Sequence, residues 1–126
     1  MEDPAVAIRA RLDEIAGPDP GAPENALLAR LLTSYTTKTP AALDRFAETL
    51  HAGDPAAVQD LAHSLKGSAA NIGADALTTI FADLEDAARE GDLPPDPAAA
   101  LDRIRIAYER VAPVCTRIAA ELQPRS

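Results

Sequence analysis

Apolar residues recur every three or four positions along most of the chain, which is the spacing of one face of an α-helix. No stretch alternates apolar and polar residues as a half-buried strand does. The pattern predicts five helices, over about 4–16, 24–51, 55–72, 74–90 and 97–122. In the last helix the spacing continues without a miss, through Leu101, Ile104, Tyr108, Val111, Cys115, Ile118 and Leu122. A continuous seam of this kind is typical of a helix in a bundle.

Proline and glycine mark the boundaries between these helices. Residues 17–23 and 91–97 are rich in both and break any helix. Asp54 followed by Pro55 predicts a helix start in which the aspartate is the N-cap. Four long amphipathic helices with short connections predict an all-α fold, an antiparallel up-down four-helix bundle, as a single domain over residues 1–126. The extra short N-terminal helix is expected to pack across one end of it.

Two prolines lie inside predicted helices. Thr39 and Pro40 either cap a new helix or kink a continuous one, so the helix over 24–51 is expected to be kinked or broken near Pro40. Pro113 lies off the seam of the last helix. Because an interior proline costs about 3 kcal/mol and bends a helix, a kink or a break is expected there too.

The charge and the cysteine content exclude several classes of partner and of site. The chain has 126 residues and a formal net charge of −8, which argues against a nucleic-acid partner and against an anionic membrane. Its single cysteine, Cys115, lies on the seam and is expected in the core. With one cysteine, no internal disulfide and no cysteine-based metal site is expected. No signal peptide and no membrane-spanning run is visible, so we expect a soluble cytoplasmic protein, or a soluble domain of a larger one.

One histidine lies on the side of its helix that faces away from the predicted core. His63 points away from the apolar stripe of the helix over 55–72, and Lys66 and Gly67 follow it by one turn. Because glycine inside a helix costs roughly 1 kcal/mol relative to alanine, something other than helix stability favours Gly67. A bare surface around an imidazole suits a histidine that another protein must reach. The stripe consists of Val58, Leu61, Leu65, Ala69 and Ile72.

The run from His63 to Gly73, HSLKGSAANIG, closely resembles the histidine phosphotransfer (HPt) domain of multistep two-component phosphorelays. The resemblance covers roughly residues 24–92, and the last helix matches only in being a bundle helix. It implies that His63 accepts a phosphoryl group from the aspartyl phosphate of a receiver domain and passes it to the aspartate of another receiver. The further segments that carry it are Thr39-Pro40, Ala52-Gly53-Asp54, Leu84-Glu85 and 87–91.

The residues around His63 fit this chemistry. An imidazole is largely neutral near pH 7, so a ring nitrogen is free to attack phosphorus. Phosphoryl transfer mainly needs positioning and compensation of oxygen charge. Lys66 can supply part of that charge, and Gly67 leaves room for the partner's loops.

The next helix offers two further candidates, Glu85 and Arg89. The resemblance implies that Glu85, where relatives often have glutamine, accepts a hydrogen bond from the imidazole nitrogen that does not carry phosphate. A carboxylate there would leave the other nitrogen nucleophilic. Arg89 would assist with phosphate charge. The alternative for this pair is an exposed i,i+4 ion pair worth about 0.3–0.5 kcal/mol.

The expected activity is that of a phosphocarrier and not of an enzyme in its own right. Response-regulator receiver domains, a hybrid sensor histidine kinase, or both are the expected partners, and the chain is expected to be a monomer. No bound cofactor or metal is expected, and Mg²⁺ should arrive with the receiver domain. Two alternatives stay open: a non-phosphorylated helical interaction module, and the acceptor domain of a chemotaxis-type histidine kinase. The other histidine, His51, lies at a predicted helix end with no motif around it and is assigned no role.

Overall fold

A computed structural model describes residues 3–123 of the chain. Within that range it has no strand, and each helix begins and ends within two residues of the predicted bounds. The predicted domain also includes residues 1–2 and 124–126, which lie outside the described residues. The helices are α1 Pro4–Ala16, α2 Ala22–Ala52, α3 Pro55–Asn71, α4 Asp75–Arg89 and α5 Pro97–Leu122.

Three of the helices begin with the same local chemistry, an aspartate N-cap followed by a proline. Asp54 Oδ1 accepts hydrogen bonds from the backbone N–H groups of Ala56 and Ala57, at 3.1 and 3.4 Å. Asp3 and Asp96 cap α1 and α5 in the same way. A proline at this position costs no hydrogen bond, because the N–H of the first helical residue has no acceptor within the helix. Asp54 is therefore the N-cap of α3, as the sequence predicts.

Helices α2 to α5 form the predicted four-helix bundle around one apolar core. The most extensive packing is between α3 and α4 and between α2 and α5. In the core, Phe46 of α2 meets Phe81 of α4 edge to face, with ring centroids 5.7 Å apart. Cys115 is fully buried, and burial raises the pKa of its thiol to about 11. The prediction that Cys115 is a core residue is confirmed.

Helix α1 closes one end of the bundle. It lies over the turn between α3 and α4, where Arg11 Nε donates a hydrogen bond to the carbonyl of Asn71 at 3.2 Å. Gly73, in this turn, has φ +80°, and a Cβ on it would lie 2.7 Å from the carbonyl oxygen of Ala7. A glycine is thus required where α1 crosses the turn that follows α3.

The break considered at Pro40 does not occur, because α2 is one helix from Ala22 to Ala52. Thr39 is not an N-cap but a buried residue of the helix interior. Proline has no N–H, so the carbonyl of Thr36, four residues earlier, lacks its helical donor. The hydroxyl of Tyr108, on α5, donates to this carbonyl at 3.2 Å. Helix α5 likewise continues through Pro113.

Candidate functional site

His63 lies in the middle of α3 with a side chain that is 69% exposed. The buried face of α3 is rotated slightly from the predicted stripe: Ala62 is fully buried, whereas Leu61 is only partly buried. His63 therefore lies at the flank of the buried face instead of directly opposite to it. From this flank the imidazole reaches across to α4.

Glu85 of α4 is the residue that His63 meets. Its side chain is only 7% exposed, because it lies beside the apolar face of α4 where α3 packs against it. Its Oε2 lies 2.7 Å from His63 Nδ1, and its Oε1 accepts a hydrogen bond from Lys66 Nζ at 2.5 Å. Each carboxylate oxygen thus has a partner on α3. The i,i+4 ion pair with Arg89 is present at 3.7 Å, but it is not an exposed pair on the Glu85 side, because Glu85 is buried and is also held from the neighbouring helix.

The hydrogen bond from Lys66 lowers the pKa of the Glu85 carboxyl group, and the bond from His63 lowers it further. Burial acts in the opposite direction but does not reverse the shift. Glu85 is therefore ionised at neutral pH, and an ionised carboxylate can only accept hydrogen bonds. His63 Nδ1 is then the donor of this hydrogen bond, and in the neutral form of the ring the lone pair lies on Nε2. In the part of the chain that the structure describes, Nε2 has no hydrogen-bond partner.

Lys66 and Gly67 complete the surface next to His63. The Lys66 side chain binds Glu85 and remains 31% exposed. A Cβ built on Gly67 would meet nothing within 4 Å. No contact inside the bundle therefore requires a glycine at this position, and the surface beside the imidazole is open.

Arg89 is at the edge of this group. Its Nη2 lies 3.7 Å from Glu85 Oε2, while its Nη1 donates to Asp86 Oδ1 at 2.8 Å. Its guanidinium group therefore binds Asp86 more closely than Glu85. His51, by contrast, is exposed in the last turn of α2 and makes none of these contacts.

A groove of about 310 Å³ lies between α2 and α3 next to the site. Lys38 and Tyr35 line it from α2, and Ser64 and Ser68 from α3. The motif around His63 does not predict that Lys38 of α2 lies beside it. Lys38 and Lys66 are the only two lysines in the chain, and they lie on the two helices that border this groove.

Two observations concern metals and membranes. Among residues 3–123, no group of three or more histidine, cysteine, aspartate or glutamate side chains is placed to hold a metal ion. None of the helices described is both long enough and apolar enough to cross a bilayer.

The comparisons with known proteins give one match. A model of the Hpt domain family matches residues 30–114, which is more than half of the chain. The match includes all of α3 and α4 and extends into α5, beyond the segment in which the sequence pattern was recognised. No curated protein and no solved structure matches.

Proposed function

This chain belongs to the Hpt domain family, and we propose on that premise that it is a phosphorelay intermediate. Hpt domains are phosphocarriers that exchange phosphoryl groups with receiver domains and histidine kinases. In this chain His63 would accept the group from a receiver aspartyl phosphate and pass it to the aspartate of another receiver.

The observation that carries the proposal is the state of the imidazole ring. Nδ1 is held by Glu85 at 2.7 Å, and the side chain is 69% exposed with Nε2 unpartnered among residues 3–123. In the forward step the Nε2 lone pair forms a bond to phosphorus, and the bond between phosphorus and the aspartate oxygen breaks with its electron pair on oxygen. An oriented, accessible nucleophile is what such a displacement needs.

Lys66 and Gly67 have supporting roles in this proposal. The ammonium group of Lys66 is close enough to the imidazole to share Glu85 with it, so it can also compensate charge on a phosphoryl group at Nε2. The open surface at Gly67 admits the loops around the partner's aspartate. Arg89 is a weaker candidate for phosphate charge, because its guanidinium group is bound to Asp86.

The partners follow from the same chemistry. We propose receiver domains of response regulators, of a hybrid sensor histidine kinase, or of both, and Mg²⁺ that arrives in the receiver's own active site. The chain would act as a cytoplasmic monomer and would contribute no independent catalytic activity. Glu85 would be a positioning residue, because it acts on phosphorus only through His63.

Transfer from a purified, aspartyl-phosphorylated receiver in the presence of Mg²⁺ tests the proposal. We expect the wild type and His51→Gln to become labelled and His63→Gln to remain unlabelled. His51→Gln is the matched control, because it removes the other exposed histidine of the chain. The label should be lost in acid, since a phosphoramidate bond hydrolyses there.

Equal labelling of His63→Gln and the wild type would contradict the assignment of His63. No label from a panel of receivers, with the helical content of the protein intact by circular dichroism, would favour the interaction module. Labelling only by an ATP-dependent histidine kinase would favour the acceptor domain of a chemotaxis-type kinase.

A further inference from the structure

We infer that Lys38 and Asp60 select the partner of this chain. The receiver domain that reaches His63 presents an acidic side chain to Lys38 and a basic side chain to Asp60. The inference rests on the proposed function of His63. It adds the charges that the partner's docking surface must carry, which neither the histidine motif nor the family match specifies.

Lys38 and Asp60 are opposite charges on two sides of His63. Asp60 precedes His63 by three positions on α3, so their side chains are neighbours on the helix surface. Lys38 lies on the α2 wall of the groove between α2 and α3, and Ser64, which follows His63, lies on the other wall. Both charged residues are exposed. The histidine therefore has an anionic neighbour on its own helix and a cationic one across the groove.

Neither charge is compensated within the part of the chain that the structure describes. Among residues 3–123, Lys38 and Asp60 form no ion pair and no side-chain hydrogen bond. The two cations on the α4 side of His63 differ in this respect, because each already binds a carboxylate of this chain. These pairs are Lys66 with Glu85 and Arg89 with Asp86. A partner therefore has to supply counter-charges at Lys38 and Asp60 only.

A partner that reaches Nε2 of His63 must cover both residues. A specific interface takes about 800 Å² from each protein, which corresponds to a disc with a radius of roughly 16 Å. Asp60 lies one helical turn from the centre of that disc, and Lys38 lies across one groove from it. Charges of opposite sign on the partner direct its approach, whereas like charges, or none, weaken binding. Receivers that lack the matching charges are therefore rejected.

The opposite signs of the two residues distinguish this inference from a general attraction. The net charge of the chain is −8, so it attracts any basic surface at long range. A uniformly basic partner would bind better after a change from Lys38 to an acidic residue. The inference requires the reverse, because an acidic side chain of the partner would then face a like charge.

The test uses the full chain, Mg²⁺ and one purified phosphorylated receiver that labels the wild type. At about 0.05 M salt we expect Lys38→Glu and Asp60→Lys each to lower kcat/KM for transfer by about tenfold. Arg103→Glu and Asp13→Lys are the matched controls. They alter the net charge by the same amounts at exposed positions of α5 and α1, and kcat/KM should stay within about twofold of the wild type.

Two further readouts separate partner recognition from an effect on His63 itself. At about 0.5 M salt the difference between the wild type and the two charge reversals should shrink, because salt screens the interactions between the proteins. Labelling by potassium phosphoramidate involves no protein surface. Its rate should therefore stay within about threefold of the wild type in all variants, since single exposed charges act weakly through water.

Each other outcome decides against one of the two proposals. Faster transfer to either charge reversal, or transfer equal to that of its control, would overturn the charge requirement and leave the function of His63 standing. Slower labelling by phosphoramidate would show that the residue acts on His63, which also overturns its role in partner selection. A wild type that no receiver of a panel labels would overturn the proposed function and this inference together.

Discussion

At the scale of single residues, two glycines of the histidine motif are present for different physical reasons. Gly73 has φ +80°, and a side chain there would collide with the backbone of α1. Gly67 is inside a helix, and a Cβ on it would contact nothing within 4 Å. Packing accounts for Gly73, whereas no contact among the described residues requires a glycine at position 67, which fits its proposed role in partner access.

This contrast gives a prediction about stability and transfer. Gly67→Ala should stabilise the protein against urea by up to about 1 kcal/mol, because alanine favours the helix. The same change should slow phosphoryl transfer from a receiver, because the new methyl group occupies the surface that the receiver approaches. Labelling by phosphoramidate, a donor small enough to pass, should be unchanged. Urea unfolding and the two labelling rates measure all three effects.

Gly73→Ala is the control for this prediction. It should destabilise the fold by at least about 1 kcal/mol, because it forces a side chain into the left-handed region and against α1. If Gly67→Ala also destabilised the protein, or left the receiver rate unchanged, the assignment of Gly67 to partner access would be wrong.

At the scale of helices, α2 shows how a proline is accommodated in a helix interior. Pro40 deprives the carbonyl of Thr36 of its helical donor, and the Tyr108 hydroxyl of α5 supplies a replacement at 3.2 Å. The same tyrosine ring packs against Tyr35 of α2, with centroids 6.1 Å apart. The packing of α2 against α5 therefore includes a hydrogen bond that replaces the one lost at Pro40.

A double-mutant cycle tests this account of Pro40. Tyr108→Phe should cost about 1 kcal/mol, because it leaves the Thr36 carbonyl unpaired. In a Pro40→Ala background the alanine N–H restores the helical hydrogen bond, so Tyr108→Phe should then cost less than about 0.5 kcal/mol. Urea unfolding of the four proteins gives the coupling energy. An equal cost of Tyr108→Phe in both backgrounds would show that the hydroxyl does not compensate for the proline.

At the scale of the whole molecule, the sequence predicts features whose causes are local. The Asp54–Pro55 start of α3 depends on neighbouring residues only. The helical periodicity of the apolar residues in α5 can likewise be read from that segment alone. Five helices and the bundle could therefore be predicted from the chain, with α1 placed across one end.

Features that depend on contacts distant in the sequence could not be predicted in the same way. The donor that satisfies the carbonyl freed by Pro40 lies on a residue 72 positions from Thr36. The sequence alone leaves Glu85 open to interpretation as an exposed ion pair, because its burial is decided by how α3 packs on α4. The motif identifies His63, whereas the hydrogen bond between its Nδ1 and Glu85 depends on how α3 packs on α4.

We propose that one nitrogen of one histidine, Nε2 of His63, carries the phosphoryl group. Nitrogen-15 NMR of the histidine-labelled chain, before and after phosphorylation by an aspartyl-phosphorylated receiver, measures this directly. The chain has two histidines, and the account predicts phosphorus coupling at Nε2 of His63 alone, with Nδ1 still protonated. Phosphorus on Nδ1 of His63, or on either nitrogen of His51, would contradict the account.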